Sequence, residues 1–138
     1  SIEVPQKELE EVVEVLDGVP GWLSYYGFLR GPGLSHEAAL GEARERGVQL
    51  LLSELENFLR LRPLARDRYV AILRAVALGA RRWSEIKQAA EARLGERIPP
   101  KNFTELLNRL LEVGFLVKEQ GGYMLPDPLI KEASLRLS

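Results

Sequence analysis

The feature that most restricts the fold of this chain is a short segment near its carboxyl end, FLVKEQGGYML, at residues 115–125. Apolar, β-branched and aromatic residues stand on both sides of adjacent glycines, a pattern typical of a β-hairpin with its tip at Gly121 and Gly122. The same residues argue against a simple helical bundle or a three-helix repeat. The segment therefore predicts a small β element in a chain that is otherwise helical.

Three short helices are predicted immediately before the hairpin. Each has apolar residues at helical spacing and ends at a glycine: Tyr69, Ile72, Leu73 and Val76 before Gly79, Ile86, Ala89, Ala90 and Leu94 before Gly95, and Phe103, Leu106, Leu107, Leu110 and Leu111 before Gly114. Asp67 and Ser84 are the predicted caps of the first two, with Trp83 just outside the second. Asn102 and Glu105 have the spacing of a capping box for the third helix.

Three helices followed by a two-stranded ribbon are typical of the winged-helix variant of helix-turn-helix, in which the third helix can enter a major groove and the hairpin is the wing. Asp127 and Pro128 predict a further helix after the hairpin. The predicted fold class is mainly α with a small β hairpin. Residues 63–138 are the predicted winged-helix domain.

Residues 1–62 are predicted to form a separate, helical lid-like subdomain. Its three helices begin near Pro5, near Pro20 and at Ser35, which has the position of an N-cap. Residues 1–59 contain 4 basic and 11 acidic residues, whereas residues 60–119 contain 13 basic and 7 acidic ones. This asymmetry suggests two modules, and a basic half is what a nucleic-acid partner requires.

Composition removes most enzyme chemistries. The 138 residues include no Cys and a single His, so the chain has neither a thiolate nucleophile nor a Cys-based or multi-histidine metal site, and we predict no catalytic and no metal-binding residues. No signal peptide or membrane-spanning run is visible, which predicts a cytoplasmic protein without membrane partners. The 14 Arg, 5 Lys and absence of Cys are compatible with a thermophilic source.

The candidate contacts to double-stranded DNA lie on the outward face of the third helix and on its flanks. Asn and Arg carry the forked donors that read base edges, and Lys or Thr can contact phosphate. The candidates are Lys101, Thr104, Asn108 and Arg109 on the helix, Lys118 on the wing, and Arg81 and Arg82 before the second helix. Glu105 and Glu112 on the same helix face would oppose the DNA backbone.

Three stretches carry a family resemblance: LDGVPGWLSYYG at 16–27, ILRAVALGARRWSEIK at 72–87 and GGYMLPDPLIKEA at 121–133. Together they resemble the archaeal AAA+ (STAND-like) ATPase family, in which a P-loop domain is followed by a helical lid and then a winged helix. The resemblance implies that Gly18, Val19 and Pro20 match the lid motif that lies against bound nucleotide. It covers nearly the whole chain.

The chain departs from that family in having no G-x-x-x-x-G-K-[ST] phosphate loop. By itself it is not expected to hydrolyse ATP or to hold a cofactor. The resemblance implies that this is the carboxy-terminal part of an ATPase, with ATP and Mg expected for the parent protein. The implied partners are the missing N-terminal nucleotide-binding domain, double-stranded DNA under the control of that domain, and further copies in a homo-oligomer.

Two alternatives stay open at this point. The winged helix could serve only for protein–protein packing, oligomerisation or autoinhibition of the ATPase, because its arginines suit carboxylates as well as phosphates. A stand-alone winged-helix transcriptional regulator is the second alternative. The fold alone does not choose among them.

Overall fold

A computed structural model of the chain describes residues 35–138, of which 68% are helical. The helices are α1 (His36–Arg60), α2 (Arg66–Ala77), α3 (Trp83–Leu94), α4 (Pro100–Val113) and α5 (Pro128–Leu135). The strands β1 (Val117–Glu119) and β2 (Gly122–Met124) lie between α4 and α5. The fold class predicted from the sequence, mainly α with a small hairpin, is confirmed.

Helix α1 begins where the sequence predicts. The backbone N–H of Ala38 donates to Ser35 Oγ at 3.1 Å, which satisfies one of the free donors of the first turn. The helix continues through 25 residues and ends ahead of Pro63. Its buried positions include Ala39, Val48 and Leu55, and they form one hydrophobic cluster with the buried residues of the other helices.

The other two helices of the predicted lid-like subdomain, with the nucleotide-contact candidates Gly18, Val19 and Pro20, lie outside the described residues. The predicted boundary between residues 62 and 63 stays a prediction. Within the described part of the chain, however, the apolar face of α1 is packed mainly against α5. The 25 residues of α1 therefore share a core with the helices of the winged-helix body.

Three predicted N-caps are wrong, because the helices begin two or three residues earlier. Helix α2 starts at Arg66 after Ala65, which leaves Asp67 inside the first turn. Helix α3 starts at Trp83, so Ser84 is already helical and the Glu85 carboxylate instead accepts the backbone N–H of Arg82 at 3.0 Å. The start of α3 is therefore marked by a different local pair, Arg82 and Glu85, which has the spacing of a capping box.

The third correction concerns α4, whose first residue is Pro100. Proline suits this position because its fixed φ is already helical and it has no N–H to satisfy. Asn102 therefore lies within the first turn, and its Oδ1 accepts a hydrogen bond from Arg68 Nη1 at 2.6 Å. Asn102 and Glu105 do not form a capping box.

The hairpin is antiparallel, with Val117 opposite Met124 and Glu119 opposite Gly122. Its two-residue tip is Gln120 and Gly121, with φ of 49° and 76°, as the right-handed twist of the strands favours. The tip is thus one residue earlier than predicted. Gly122 instead lies in β2, where a Cβ would stand 3.3 Å from the carbonyl oxygen of Arg81.

The last helix, α5, confirms its predicted cap. The Ile130 N–H donates to Asp127 Oδ1 at 2.9 Å, and Pro128 occupies the first helical position. Leu129, Ile130 and Ala133 are buried against α1 and α2. Among residues 35–138, every helix is too short or too polar to cross a lipid bilayer.

Candidate nucleic-acid interface

Helix α4 is strongly two-faced, as its sequence predicts. Phe103, Leu106, Leu107 and Leu110 are buried in the core. The opposite face is exposed throughout. It carries every residue that the sequence predicted on the outward face of this helix: Lys101, Thr104, Glu105, Asn108, Arg109 and Glu112. Because one stripe of the helix anchors it to the body, the other stripe is available to a partner along its whole length.

The turn before α4 is held by Glu91. Its carboxylate accepts hydrogen bonds from Lys87 Nζ and from the backbone N–H of Ile98, both at 2.7 Å. The Lys87 bond first, and then the Ile98 bond, lowers the pKa of Glu91. This ionised carboxylate ties α3 to the segment that leads into α4 and so fixes the angle at which the exposed face is presented.

The N-terminus of α3 lies beside the first turns of α4. Trp83 Nε1 donates to Thr104 Oγ1 at 3.1 Å, and the Trp83 ring meets Phe103 edge-on at a centroid distance of 5.2 Å. The sequence predicted Trp83 only as a residue outside the helix. Its link to a candidate phosphate contact could not be found from sequence, because the two residues are 21 positions apart.

Arg81 and Arg82 lie between α2 and α3, next to the wing. The Tyr123 N–H donates to the carbonyl oxygen of Arg81 at 2.7 Å, and the Arg81 guanidinium lies 3.6 Å from Met124 Sδ. Both arginine side chains are exposed. They line an open groove of about 340 Å³ together with Gly79, Glu85 and the tip of the wing, Gln120–Gly122. The structure therefore brings the predicted arginines and the wing together.

The remaining candidates are also exposed. Lys118 on β1 has its Nζ 5.5 Å from the centroid of the Tyr123 ring. Arg109 pairs with Glu112 at 3.3 Å, with 51% of the arginine side chain exposed, and Asn108 makes no hydrogen bond to any of residues 35–138. Such an exposed pair contributes little stability, so a stronger anion can displace the glutamate.

Of the seven arginines that make residues 60–82 basic, Arg60 donates to Asn57 Oδ1 at 3.4 Å, and four more are engaged within the protein. Arg62 stacks over the ring of Phe58 at 4.0 Å. Arg66 bonds to Glu56 at 2.9 Å and to the Ser138 carbonyl at 3.0 Å, and Arg74 bonds to the Leu135 carbonyl at 2.7 Å. Arg68 bonds to Asn102 and pairs with Glu96. Part of the positive charge seen in the sequence therefore serves contacts within the fold.

Two exposed arginines at the α3–α4 turn were not among the contacts predicted from the sequence. Arg93 and Arg97 lie on either side of the end of α3, and neither has an ion pair with another described residue. They follow the same rule as the other candidates, which is exposed positive charge beside α4. Both would have been predicted if the turn between α3 and α4 had been included among the candidate contacts of the helix-turn-helix.

No group of His, Asp and Glu within residues 35–138 could hold a metal ion. The part of the chain that the structure describes also contains no phosphate loop. The lid candidates Gly18, Val19 and Pro20 fall outside it, so their contact to nucleotide stays a prediction. What the geometry does present is a polar helix face flanked by cationic side chains.

The helices α2, α3 and α4 and the wing define a winged-helix domain. Residues 63–125 match the family model of the MCM protein C-terminal winged helix-turn-helix domain. A search of the curated proteins finds no match.

The chain is also similar to a solved structure, that of the Walker-type ATPase PABY2304 of Pyrococcus abyssi. The two share 36% sequence identity with a TM-score of 0.82 over 97% of this chain, which spans 37% of the length of that protein. Together the two findings support a C-terminal winged-helix region of an archaeal ATPase. The resemblance stated from the sequence is confirmed at that level.

Proposed function

We propose that this chain is the non-catalytic, carboxy-terminal part of an archaeal ATPase, and that its winged helix binds double-stranded DNA. The observation that carries the proposal is the fully exposed polar face of α4, with Arg81, Arg82 and the wing beside it. We call these elements the DNA face. An α-helix fits the major groove, and flanking cations are placed to contact phosphates.

The residue roles follow from their chemistry and position. Asn108 and Arg109 are proposed to address base edges, since both are exposed on the middle of α4. Lys101, Arg81, Arg82 and Lys118 are proposed to contact phosphates on either side of the groove. Glu105 and Glu112 oppose the DNA backbone, which makes the proposed binding modest in strength.

Fluorescence anisotropy with a labelled duplex at about 50 mM salt tests this proposal. Arg109→Ala is expected to cost about 1 to 3 kcal/mol in binding if the side chain reads a base. Arg46→Ala, an exposed arginine on α1, is the matched control and is expected to be neutral. No binding by the wild-type chain would overturn the proposal.

The nucleotide-binding domain of the parent protein is proposed to control this binding, with Gly18, Val19 and Pro20 completing its nucleotide site and ATP and Mg as its cofactors. The support is the similarity to a Walker-type ATPase of which this chain spans 37%. Since the chain has no phosphate loop, it is expected not to bind ATP at micromolar concentration by itself. Isothermal titration with ATP measures this, and micromolar affinity would contradict it.

A second candidate function is protein packing within an ATPase assembly. It is favoured by the connection between α1 and α2, where the Leu61 and Leu64 side chains are 74% and 101% exposed. If this surface holds copies together, sedimentation is expected to show an oligomer that Leu61→Ser with Leu64→Ser dissociates. A monomer at all concentrations, together with duplex binding, would favour the DNA proposal.

A further inference from the structure

The hydroxyl of Thr104 has one hydrogen-bond partner among residues 35–138, an indole N–H. It accepts the indole N–H of Trp83 at 3.1 Å, and the Trp83 ring is itself held edge-on against the buried Phe103, at an interplanar angle of 83°. The donor is thus fixed by packing, whereas the Thr104 side chain is exposed at the surface of α4.

This arrangement decides where the hydroxyl proton points. A threonine hydroxyl has one proton to donate and lone pairs to accept. Within a helix that proton commonly bonds to the carbonyl four residues earlier, here that of Pro100. No such bond is formed, and no other residue among 35–138 accepts the proton. The proton is therefore available to an acceptor outside the protein.

The surroundings of this proton favour an anionic acceptor. Lys101 precedes Thr104 by one helical turn on the same exposed face, and Arg82 directly precedes Trp83. Neither cationic side chain forms an ion pair with a described residue. A hydroxyl donor next to two free cations matches the oxygen of a phosphodiester, which accepts hydrogen bonds and carries the negative charge.

We propose that Trp83 is a positioning residue, which presents the Thr104 hydroxyl proton to a phosphodiester oxygen of duplex DNA. The inference rests on the proposed function, because it concerns the DNA face. It adds Trp83, a residue that does not touch DNA, and it distinguishes two predicted phosphate contacts. Lys101 supplies charge, whereas Thr104 donates a directional hydrogen bond.

Anisotropy titrations with a duplex separate these roles. Thr104→Val removes the hydroxyl and Trp83→Phe removes its orienting partner while keeping a ring against Phe103, so each is expected to bind DNA about three- to tenfold more weakly. Thr104→Ser retains the hydroxyl and is expected to bind like the wild type. The double variant is expected to be no weaker than either single variant, because both changes remove the same hydrogen bond.

The salt dependence gives a readout that loss of structure would not reproduce. A neutral hydroxyl releases no counterions, so the slope of log affinity against log salt is expected to stay unchanged in Thr104→Val and Trp83→Phe. Lys101→Ala, in contrast, is expected to reduce the slope by about 0.9. Thermal midpoints of all variants confirm that the fold is kept.

The hydrogen bond itself can be tested without DNA. The chain has two tryptophans, Trp22 and Trp83. In an NMR spectrum of Trp83→Phe the indole N–H signal of Trp83 is lost, which assigns that signal in the wild type. Thr104→Val is expected to shift that signal, and a signal that does not move overturns the inference.

The DNA titrations then separate the two proposals. Wild-type binding with unchanged affinity of Thr104→Val overturns this inference alone. Weak binding by Thr104→Val with normal binding by Trp83→Phe removes the positioning role. Absence of wild-type binding removes the proposed function and this inference together.

Discussion

At the scale of single residues, the arginines divide into two groups. Arg66, Arg68 and Arg74 donate to acceptors of the fold, and the Glu56 partner raises the pKa of Arg66 further. Arg81 and Arg82 are exposed beside the wing. Since a guanidinium in a formed ion pair has less to gain from phosphate, only the second group is expected to contribute to DNA binding.

Arg109 is intermediate between these groups, because its guanidinium pairs with Glu112 at 3.3 Å although the side chain is exposed. Glu112→Gln removes a repulsive charge from the DNA face and releases Arg109. We expect duplex binding to become about fivefold tighter, which corresponds to roughly 1 kcal/mol, the upper end of the range for exposed charge pairs. Glu54→Gln, an exposed glutamate on α1, is the control, and unchanged or weaker binding by Glu112→Gln contradicts the assignment of α4 to the DNA face.

At the scale of elements, α5 is fastened by charged groups at its carboxyl end. Arg136 bonds to both carboxylate oxygens of Glu45 on α1, at 2.7 and 2.9 Å. Arg74 on α2 donates to the Leu135 carbonyl, where a cation also complements the partial negative charge of the helix end. These bonds join α1, α2 and α5, and they depend on ionised groups.

The Arg136 hydrogen bond, followed by that of Gln49, lowers the pKa of Glu45 from 4.5 to about 2. A carboxyl with a lowered folded-state pKa stabilises the fold above its unfolded pKa, and this contribution is lost as the pH falls from about 4.5 to about 2. We therefore expect Glu45→Gln to be less stable than the wild type at pH 6. The difference is expected to disappear near pH 2 in urea unfolding curves, and a difference independent of pH would show that the ion pair is not its source.

The cap of α5 gives a prediction that does not depend on charge pairing between helices. Asp127→Ala leaves the Ile130 N–H without its acceptor and is expected to lower the free energy of unfolding by about 1 kcal/mol. Ser35→Ala at the start of α1 is a matched cap removal and is expected to cost a similar amount. Denaturant unfolding measures both, and a neutral Asp127→Ala would show that the cap does not contribute to the stability of α5.

At the scale of the whole molecule, a nearly neutral chain with a net charge of −1 carries a locally cationic DNA face. Five side chains supply that charge: Arg81, Arg82, Lys101, Arg109 and Lys118. Binding should therefore depend on salt, though less steeply than in strongly basic DNA-binding proteins.

The five cations of the DNA face together with Arg93 and Arg97 allow at most seven phosphate contacts, so the slope of log affinity against log salt is expected to be no steeper than about −6.3. Lys131→Ala on the exposed side of α5 is expected to leave the slope unchanged, because α5 is not part of the DNA face. A slope near zero, or the same loss from Lys131→Ala as from Lys101→Ala, would contradict this assignment.

How much of this could be predicted from the sequence depends on whether a signal is local. The αL glycines Gly95 and Gly114, the hairpin and the two faces of α4 follow from spacing and turn chemistry, and all were predicted. The side chains of Arg68 and Asn102 meet across 34 residues, and those of Trp83 and Thr104 across 21. Such pairs leave no periodic pattern, so the wrong capping box and the missed role of Trp83 have the same origin.

The long helix α1 has a practical consequence for anyone isolating the winged-helix part of this protein. Its Phe58 meets Tyr69 and Phe115 edge-on at 5.0 and 5.4 Å, although the family match begins only at residue 63. A fragment trimmed to that match would uncover the apolar surface under α1 and is expected to aggregate. A fragment that begins at Ser35, 28 residues before the family match, keeps α1 and is expected to stay soluble.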